Sequence, residues 1–377
     1  MKWTKILKKY KGERVGLLTN QSAYGTMIPY TYNFHFYEKT LGLHTVFLPE
    51  HGLFAELQDQ VSGSGLKYSL SGWNIVNLYG DSEDTLTASR DSLRNLDLLL
   101  IDIRDVGARY YTFLTTAFYM LQSVSEMKKN GENVPDIIAV DYPNPIGKKA
   151  EGSPLDAKYE SFVGVRTALH RHGMSVFELL NYYRKKFSLD CSLDFLRPSE
   201  NTDHYWVPPS PNIPTKDSCF VYPGQCLLEG TNLSEGRGTT RPFEMFGAPF
   251  INPFDDLLLH ELNRENKGYY YLRPLFFQPV FHKHAGRVCG GYQIIIKNHK
   301  KFHSLLFTLH LLRTLKDYYS TKFEYLQGPY EFRSDRPAVE LLAGDDLLVS
   351  YLYGKGKYSE IREYLNSEEK KWEKERG

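Results

Sequence analysis

Five short apolar runs before Pro145 limit the folds open to this chain more than any other feature. Leu96–Ile103 is the clearest, broken only by Asp97 and Asp102; the others are Arg14–Thr19, His44–Leu48, Asn74–Leu78 and Pro135–Val140. None of them alternates apolar with polar positions. A strand with one wet face alternates with a period of two, so unbroken runs belong to strands buried on both sides, as in a parallel sheet covered by helices. The segments between the runs are helix-like, most clearly Tyr111–Lys129. Strand and helix in alternation predict an α/β domain with a Rossmann-like, doubly wound sheet.

With 377 residues the chain exceeds what one small core holds, and two domains are expected. The texture changes near residue 150. Proline punctuation follows at Pro208-Pro209-Ser210-Pro211 and Pro214; helices are predicted over Met174–Arg184 and Phe302–Tyr319 and a strand over Gln293–Ile296. The division predicted is a Rossmann-like domain over 1–149 and a second, smaller α+β domain over 150–377. The mixed-sign run Glu368–Arg376 reads as a solvated helical tail. Leu228–Pro249 has no hydrophobic period, and carries Glu229, Glu235, Glu244, Arg237, Arg241, Asn232 and Ser234 among its glycines. Long irregular segments with such dense polar chemistry are usually working loops. This one is expected to reach back over the sheet edge, into a cleft between the domains.

Composition closes several routes. The formal net charge is +1, from 46 Lys and Arg against 45 Asp and Glu, so no basic excess exists to bind nucleic acid or an anionic membrane. No stretch approaches the ~18 apolar residues of a membrane helix, and the first residues show no signal-peptide core; a cytoplasmic protein is expected. Cys191, Cys219, Cys226 and Cys289 form no Cys-x-x-Cys pair and fit reduced thiols. The turn after the first run, Thr19-Asn20-Gln21-Ser22, lacks the glycines of a dinucleotide site, and no phosphate-binding Gly-x-x-x-x-Gly-Lys motif or Gly-x-Ser-x-Gly elbow occurs. The pairs His170/His172 and His282/His284 have no evident carboxylate or thiolate set beside them, so no metal and no cofactor are expected.

Ligands of open α/β sheets bind beyond the carboxyl ends of the strands. There the sequence places Asn20, then Pro49-Glu50-His51-Gly52, then the stretch Arg104–Thr112 with Asp105, Arg109, Tyr110 and Tyr111, then Asp141 and Asn144. Turns at the opposite ends, such as Gly12-Glu13, carry no comparable chemistry. A proline before and a glycine after make Glu50 a presented carboxylate, with His51 to orient it or to bind a substrate hydroxyl. Arg109 either grips a substrate carboxylate bidentately or pairs with Asp105 at a helix start. Tyr110 and Tyr111 divide between one buried and one site-facing ring. Asp141 and Asn144 sit on a proline-stiffened turn suited to binding, and Asn232, Glu235 and Arg237 are the candidates on the long loop.

Carboxylates without metal, nucleotide or thiol signatures point to acid–base chemistry on a neutral, hydroxyl-rich substrate. Glycoside hydrolysis leads: it uses two carboxyl groups, or in some enzymes a tyrosine nucleophile. Glu50 as acid or base, with Glu235 or Tyr111 opposite, meets either version. A sugar-binding module without catalysis and a phosphosugar enzyme with an anion-cradling loop are the alternatives.

The same residues carry a family likeness. Gly16–Asn20, Pro49–Gly52, Asp102–Thr112, Asp141–Gly147, Glu229–Thr240 and Gly247–Pro249 resemble, in order, the motifs of the exo-β-N-acetylmuramidase family NamZ. The resemblance implies a Rossmann-like domain with a smaller partner domain, and release of N-acetylmuramic acid from the non-reducing ends of peptidoglycan fragments, down to a MurNAc-GlcNAc disaccharide. It makes Glu50 the first choice as acid/base and Tyr111 the second. Muramic acid carries a lactyl carboxylate that glucosamine lacks, so a cation is expected to meet it: Arg109 or Arg237, with Arg237 preferred. The chain departs from the family pattern at Tyr142, where an arginine is expected, and at Leu53-Phe54-Ala55-Glu56 after the Glu50 turn.

Overall fold

The computed structural model describes residues 2–58, 61–65, 72–198 and 206–376. The chain forms two compact units. The first comprises 1–106, 111–147 and 174–211; the second comprises 107–110, 148–173 and 212–377. The division is therefore discontinuous, where the sequence predicts one boundary after residue 149. The chain leaves the first unit at 107–110 and at 148–173 and returns each time, the last return bringing a helix and a sixth strand.

That strand joins a wholly parallel sheet. Its members are β1 (Val15–Thr19), β2 (Leu43–Leu48), β3 (Asn74–Asn77), β4 (Leu98–Asp102) and β5 (Asp136–Val140). After the hairpin of β6 (Glu151–Pro154) and β7 (Leu169–Arg171), which lies in the second unit, comes β8 (Asp194–Leu196). The order is β3-β2-β1-β4-β5-β8, with every neighbouring pair parallel. It is the order of Rossmann sheets, and the α/β expectation holds. β1 and β4 are buried at every position, which explains why they read as unbroken apolar runs. The helices of this unit are α1 (Trp3–Tyr10), α2 (Asn33–Leu41), α3 (Arg90–Arg94), α4 (Thr112–Lys129) and α5 (Val176–Lys186). Ser175 and Glu178 close a reciprocal capping box on α5, and Asp141 Oδ1 accepts from Phe177 N in the same first turn.

The second unit holds a three-stranded antiparallel sheet in the order β10-β11-β9, from β9 (Met245–Ala248), β10 (Tyr270–Phe277) and β11 (Cys289–Ile296). Its helices are α6 (Lys216–Gln225), α7 (Asp256–Asn263), α8 (Ser304–Tyr318), α9 (Ala338–Ala343), α10 (Asp346–Leu352) and α11 (Tyr358–Arg376). α6 packs on α8 through Gly224, where a Cβ would lie 2.2 Å from Ser304 O. Two expectations need correction. The long loop is not irregular throughout, because its end is β9. α11 is not wholly solvated either. Trp372 is buried and donates to His172 O, and Arg376 donates to His172 O and Gly173 O. Among the described residues no helix is long and apolar enough to cross a membrane.

Candidate active site

The first unit places its chemistry at the carboxyl edge of the sheet. The chain runs outward from β1 through β2 to β3 and then returns to β4 on the other side of β1. At such a reversal the loops after the two central strands part and leave a crevice. The loop after β1 is tied down by Asn20, which has no exposed surface. Its Oδ1 accepts from Ser22 N and Ser22 Oγ, and its Nδ2 donates to Pro209 O. Ser22 Oγ in turn accepts from Arg104 N at 3.4 Å, on the loop after β4. Asn20 is thus a brace for this loop, with its amide already committed.

Glu50 follows β2 and is 8% exposed. Its Oε2 accepts from Thr112 Oγ1 at 2.8 Å, on the first residue of α4. The positive end of that helix faces a carboxylate favourably. The turn that presents Glu50 is strained: His51 has φ +74° and Ala55 +51°, while Gly52 at +83° takes the same region without penalty. Non-glycine residues held there cluster at functional sites. The buried His51 ring lies 6.4 Å from Phe113. Tyr111 precedes α4 as its N-cap residue, with its ring 4.5 Å from Phe113. Tyr110 and Tyr111 are both buried. Tyr110 donates its hydroxyl to Pro223 O within the second unit.

Behind this edge lies a buried polar network. Asp102, at the end of β4, accepts from Tyr142 OH on Oδ1 at 2.6 Å, and from Asn33 Nδ2 at 2.8 Å and Tyr37 OH at 2.7 Å on Oδ2. Burial pushes the Asp102 carboxyl above its ordinary range, against those hydrogen bonds and the Arg104 charge. Arg104 stacks its guanidinium 4.9 Å from the centre of the Tyr142 ring. Asp105 is buried beside it in the sequence. Asn144 closes its own turn by accepting from Ile146 N and donates to Met174 O; with Asp141 on α5, both residues of the proline-stiffened turn serve local structure.

The charges of the long loop gather in a cluster of their own within the second unit. Glu235 has no exposed surface. Lys283 Nζ lies 2.8 Å from its Oε2, and His282 Nδ1 3.1 Å and Arg237 Nε 3.7 Å from its Oε1. Burial alone would raise the Glu235 carboxyl, but the Lys283 and His282 charges and hydrogen bonds override it and hold the group down at about 2. Glu229 takes Arg237 Nη2 at 2.9 Å and Tyr330 OH at 2.6 Å. Burial, then the Glu235 charge, push its carboxyl up to about 7. Asn232 donates to Lys322 O and accepts from Glu324 N.

The neighbouring clamp on Arg109 is also internal. Its Nη1 donates to Ser153 O and Ala168 O, its Nη2 to Leu342 O and Ala343 O, and His170 Nε2 lies 3.0 Å away. Arg109 therefore ties β6, β7 and α9 together.

Residues 15–217 match the family model "Exo-beta-N-acetylmuramidase NamZ, N-terminal", and residues 220–377 match "Exo-beta-N-acetylmuramidase NamZ, C-terminal". The chain belongs to the NamZ family. It is 37% identical over 330 residues to the peptidoglycan β-N-acetylmuramidase NamZ of Bacillus subtilis (strain 168), a stretch covering 85% of this chain and 77% of that protein. In fold it resembles a DUF1343 family protein of Bacteroides fragilis NCTC 9343, with TM-score 0.79 at 22% identity, covering 99% of this chain and 95% of the other. A second such protein from the same organism gives 0.67 at 25% identity, covering 99% and 94%.

Arg104 and Glu229 stand out only once their surroundings are known. Arg104 looks like one more charge after a strand. One signal was available: Asp102 ends an apolar run, and a carboxylate there requires buried partners. Glu229 lies beside Glu235, and two carboxylates so close in the chain can be driven to opposite protonation states.

Proposed function

We propose that this chain is an exo-acting glycoside hydrolase that releases N-acetylmuramic acid from the non-reducing ends of peptidoglycan fragments, with Glu50 as its acid/base. One observation supports the residue assignment above the others. Glu50 is a buried carboxylate on a left-handed turn at the carboxyl edge of the sheet, held by a hydroxyl at the start of a helix. Strain is tolerated where surrounding structure overrides it, and here it fixes the direction of a proton-transferring group. Of the two partners considered for Glu50, Tyr111 fits better. It adjoins Thr112, which bonds Glu50, whereas Glu235 is sealed inside its own ion cluster. A tyrosine nucleophile is chemically competent in glycoside hydrolysis. Glu235, Asn232, Arg237 and Arg109 we assign to building the second unit.

The reading is tested by incubating the protein with a chromogenic β-N-acetylmuraminide and with the matching β-N-acetylglucosaminide. The muraminide is expected to be cleaved at least ~10-fold faster in kcat/KM, the smallest discrimination one charge-assisted contact gives. Equal cleavage of both sugars would remove the muramidase assignment. Cleavage of neither, together with binding of muropeptides, would favour a sugar-binding protein instead.

A further inference from the structure

We propose that Arg104 selects a free carboxylate on the substrate sugar, gripping it through the Nε–Nη2 edge of its guanidinium. The assignment rests on the muramidase reading above and names the group within that site which distinguishes one amino sugar from another.

Arg104 is 7% exposed, and among the described residues its Nε and Nη2 have no hydrogen-bond partner. A buried donor left unmade costs free energy, more so when it is charged. Such a cost persists where something other than the protein collects the bonds. The two atoms are a chemically matched pair. In a guanidinium the Nε–H and one N–H of Nη2 project in parallel along one edge, which is the fork that receives both oxygens of a carboxylate.

The rest of the environment fixes that fork in place. The guanidinium lies over the Tyr142 ring, and Tyr142 is itself pinned by its hydroxyl to Asp102 Oδ1 and Thr26 Oγ1. Asp102 is pinned from its other side by Asn33 and Tyr37. The backbone of Arg104 is held by Ser22, which is held by Asn20. A planar donor set with its plane already fixed loses little entropy when it meets a planar anion. The two other buried arginines and the part-buried Arg237 are engaged elsewhere: Arg109 with backbone carbonyls, Arg171 with Glu151, Arg237 with Glu229.

Position agrees with this role. Arg104 follows β4 and Glu50 follows β2, and those strands flank β1. Two strand spacings amount to roughly 10 Å between backbones, within which two side chains can reach the same bound sugar ring. That lactyl ether supplies the only charge on N-acetylmuramic acid at neutral pH, and N-acetylglucosamine has none.

The decisive experiment uses the whole chain with a chromogenic β-N-acetylmuraminide in two forms, the free lactyl acid and its methyl ester. Wild type is expected to favour the acid by ~10- to 100-fold in kcat/KM, mainly through KM. Arg104→Lys keeps the charge but loses the fork, and should lower that preference severalfold. Arg104→Met should bring the acid-to-ester ratio close to one. Equal cleavage of acid and ester by wild type, or an equal slowing of both in Arg104→Lys, would overturn the role of Arg104 while leaving the hydrolase intact. Cleavage of neither form by wild type would overturn the muramidase reading and this assignment with it. If Arg104→Met does not fold, as thermal unfolding would reveal, the wild-type ratio and the lysine variant still decide.

Discussion

Glu50→Gln is expected to lower kcat on a chromogenic β-N-acetylmuraminide by ~10²- to 10⁴-fold, the usual contribution of a positioned general acid or base. The fold should survive the change. The amide side chain keeps the volume of the carboxyl one, and its oxygen can still accept the Thr112 hydroxyl that Glu50 Oε2 accepts at 2.8 Å. What disappears is the proton that the carboxyl gives or takes. KM should change far less than kcat, because an interaction made only in the transition state is removed. Thr112→Val is the companion variant. It keeps the carboxylate and removes the hydroxyl that aims it, so a smaller fall is expected, about tenfold, on the scale of one hydrogen bond to a charged group. Undiminished turnover in Glu50→Gln, with an unchanged thermal midpoint, would move the acid/base to another residue, and Tyr111→Phe would be the next variant to measure.

The centre of the sheet was readable in advance because its strands are buried on both faces. The runs at Leu96–Ile103 and Arg14–Thr19 map onto β4 and β1, whose every residue is buried. The helices at Met174–Arg184 and Phe302–Tyr319 map onto α5 and α8 within a few residues. β8 was not readable. It is three residues long, and in Asp194-Phe195-Leu196 only Leu196 is buried, so no pattern of apolar spacing could develop. The chain's last return to the first unit, over 174–211, brings back this short strand and its pairing with β5. Trp372 is a similar case. Within the charged run Glu368–Arg376 it is the one buried residue, yet it fixes the end of α11 through a bond to His172 O.

The site was readable as a place more than as a set of roles. Sequence order brings Asn20, Glu50, Arg104 and Asp141 to one edge of the sheet, because each follows a strand of a parallel array. It cannot say which of them spend their polar groups on the backbone. Asn20 and Asn144 do so through turns of their own making, a habit of asparagine wherever the chain bends. The long loop is ambiguous for a related reason. Dense charge in an irregular segment reads as a surface facing a ligand, and the same composition also builds a buried ion cluster. Glu235, Lys283, Arg237 and Glu229 are of the second kind, and Lys283, which neutralises the cluster, stands far along the chain from the loop itself.

That cluster sets the second large effect. Lys283→Met is expected to destabilise the protein by ~3–5 kcal/mol at pH 7, the range for stripping one partner from a buried ion pair. Lys283 Nζ lies 2.8 Å from Glu235 Oε2 and also donates to Leu228 O at 2.8 Å and Thr231 O at 3.0 Å. Methionine fills the same space and leaves these groups without their donor. The dependence on pH separates this charge effect from simple loss of packing. The Glu235 carboxyl, held at about 2 against an ordinary 4.5, binds its proton less readily folded than unfolded. Its contribution, on the order of 3 kcal/mol, is therefore complete above pH 4.5 and is lost as pH falls towards 2. Glu229, raised to about 7, has the opposite sign. Between pH 4.5 and 7 the unfolded chain has released a proton that the folded chain still holds, so stability declines as pH rises through that window. Urea unfolding between pH 3 and 8 reads both terms. Glu229→Gln should flatten the decline between pH 4.5 and 7, since no carboxyl then remains to be kept protonated. Lys283→Met should shrink the Glu235 contribution present above pH 4.5, and with it the fall in stability on acidification, and it should extend the Glu229 decline to higher pH, because the Lys283 charge also favours ionised Glu229. A Lys283→Met protein within 1 kcal/mol of wild type at pH 7, on the scale of an exposed pair, would mean that water reaches Glu235 and that the loop is not held by its charges.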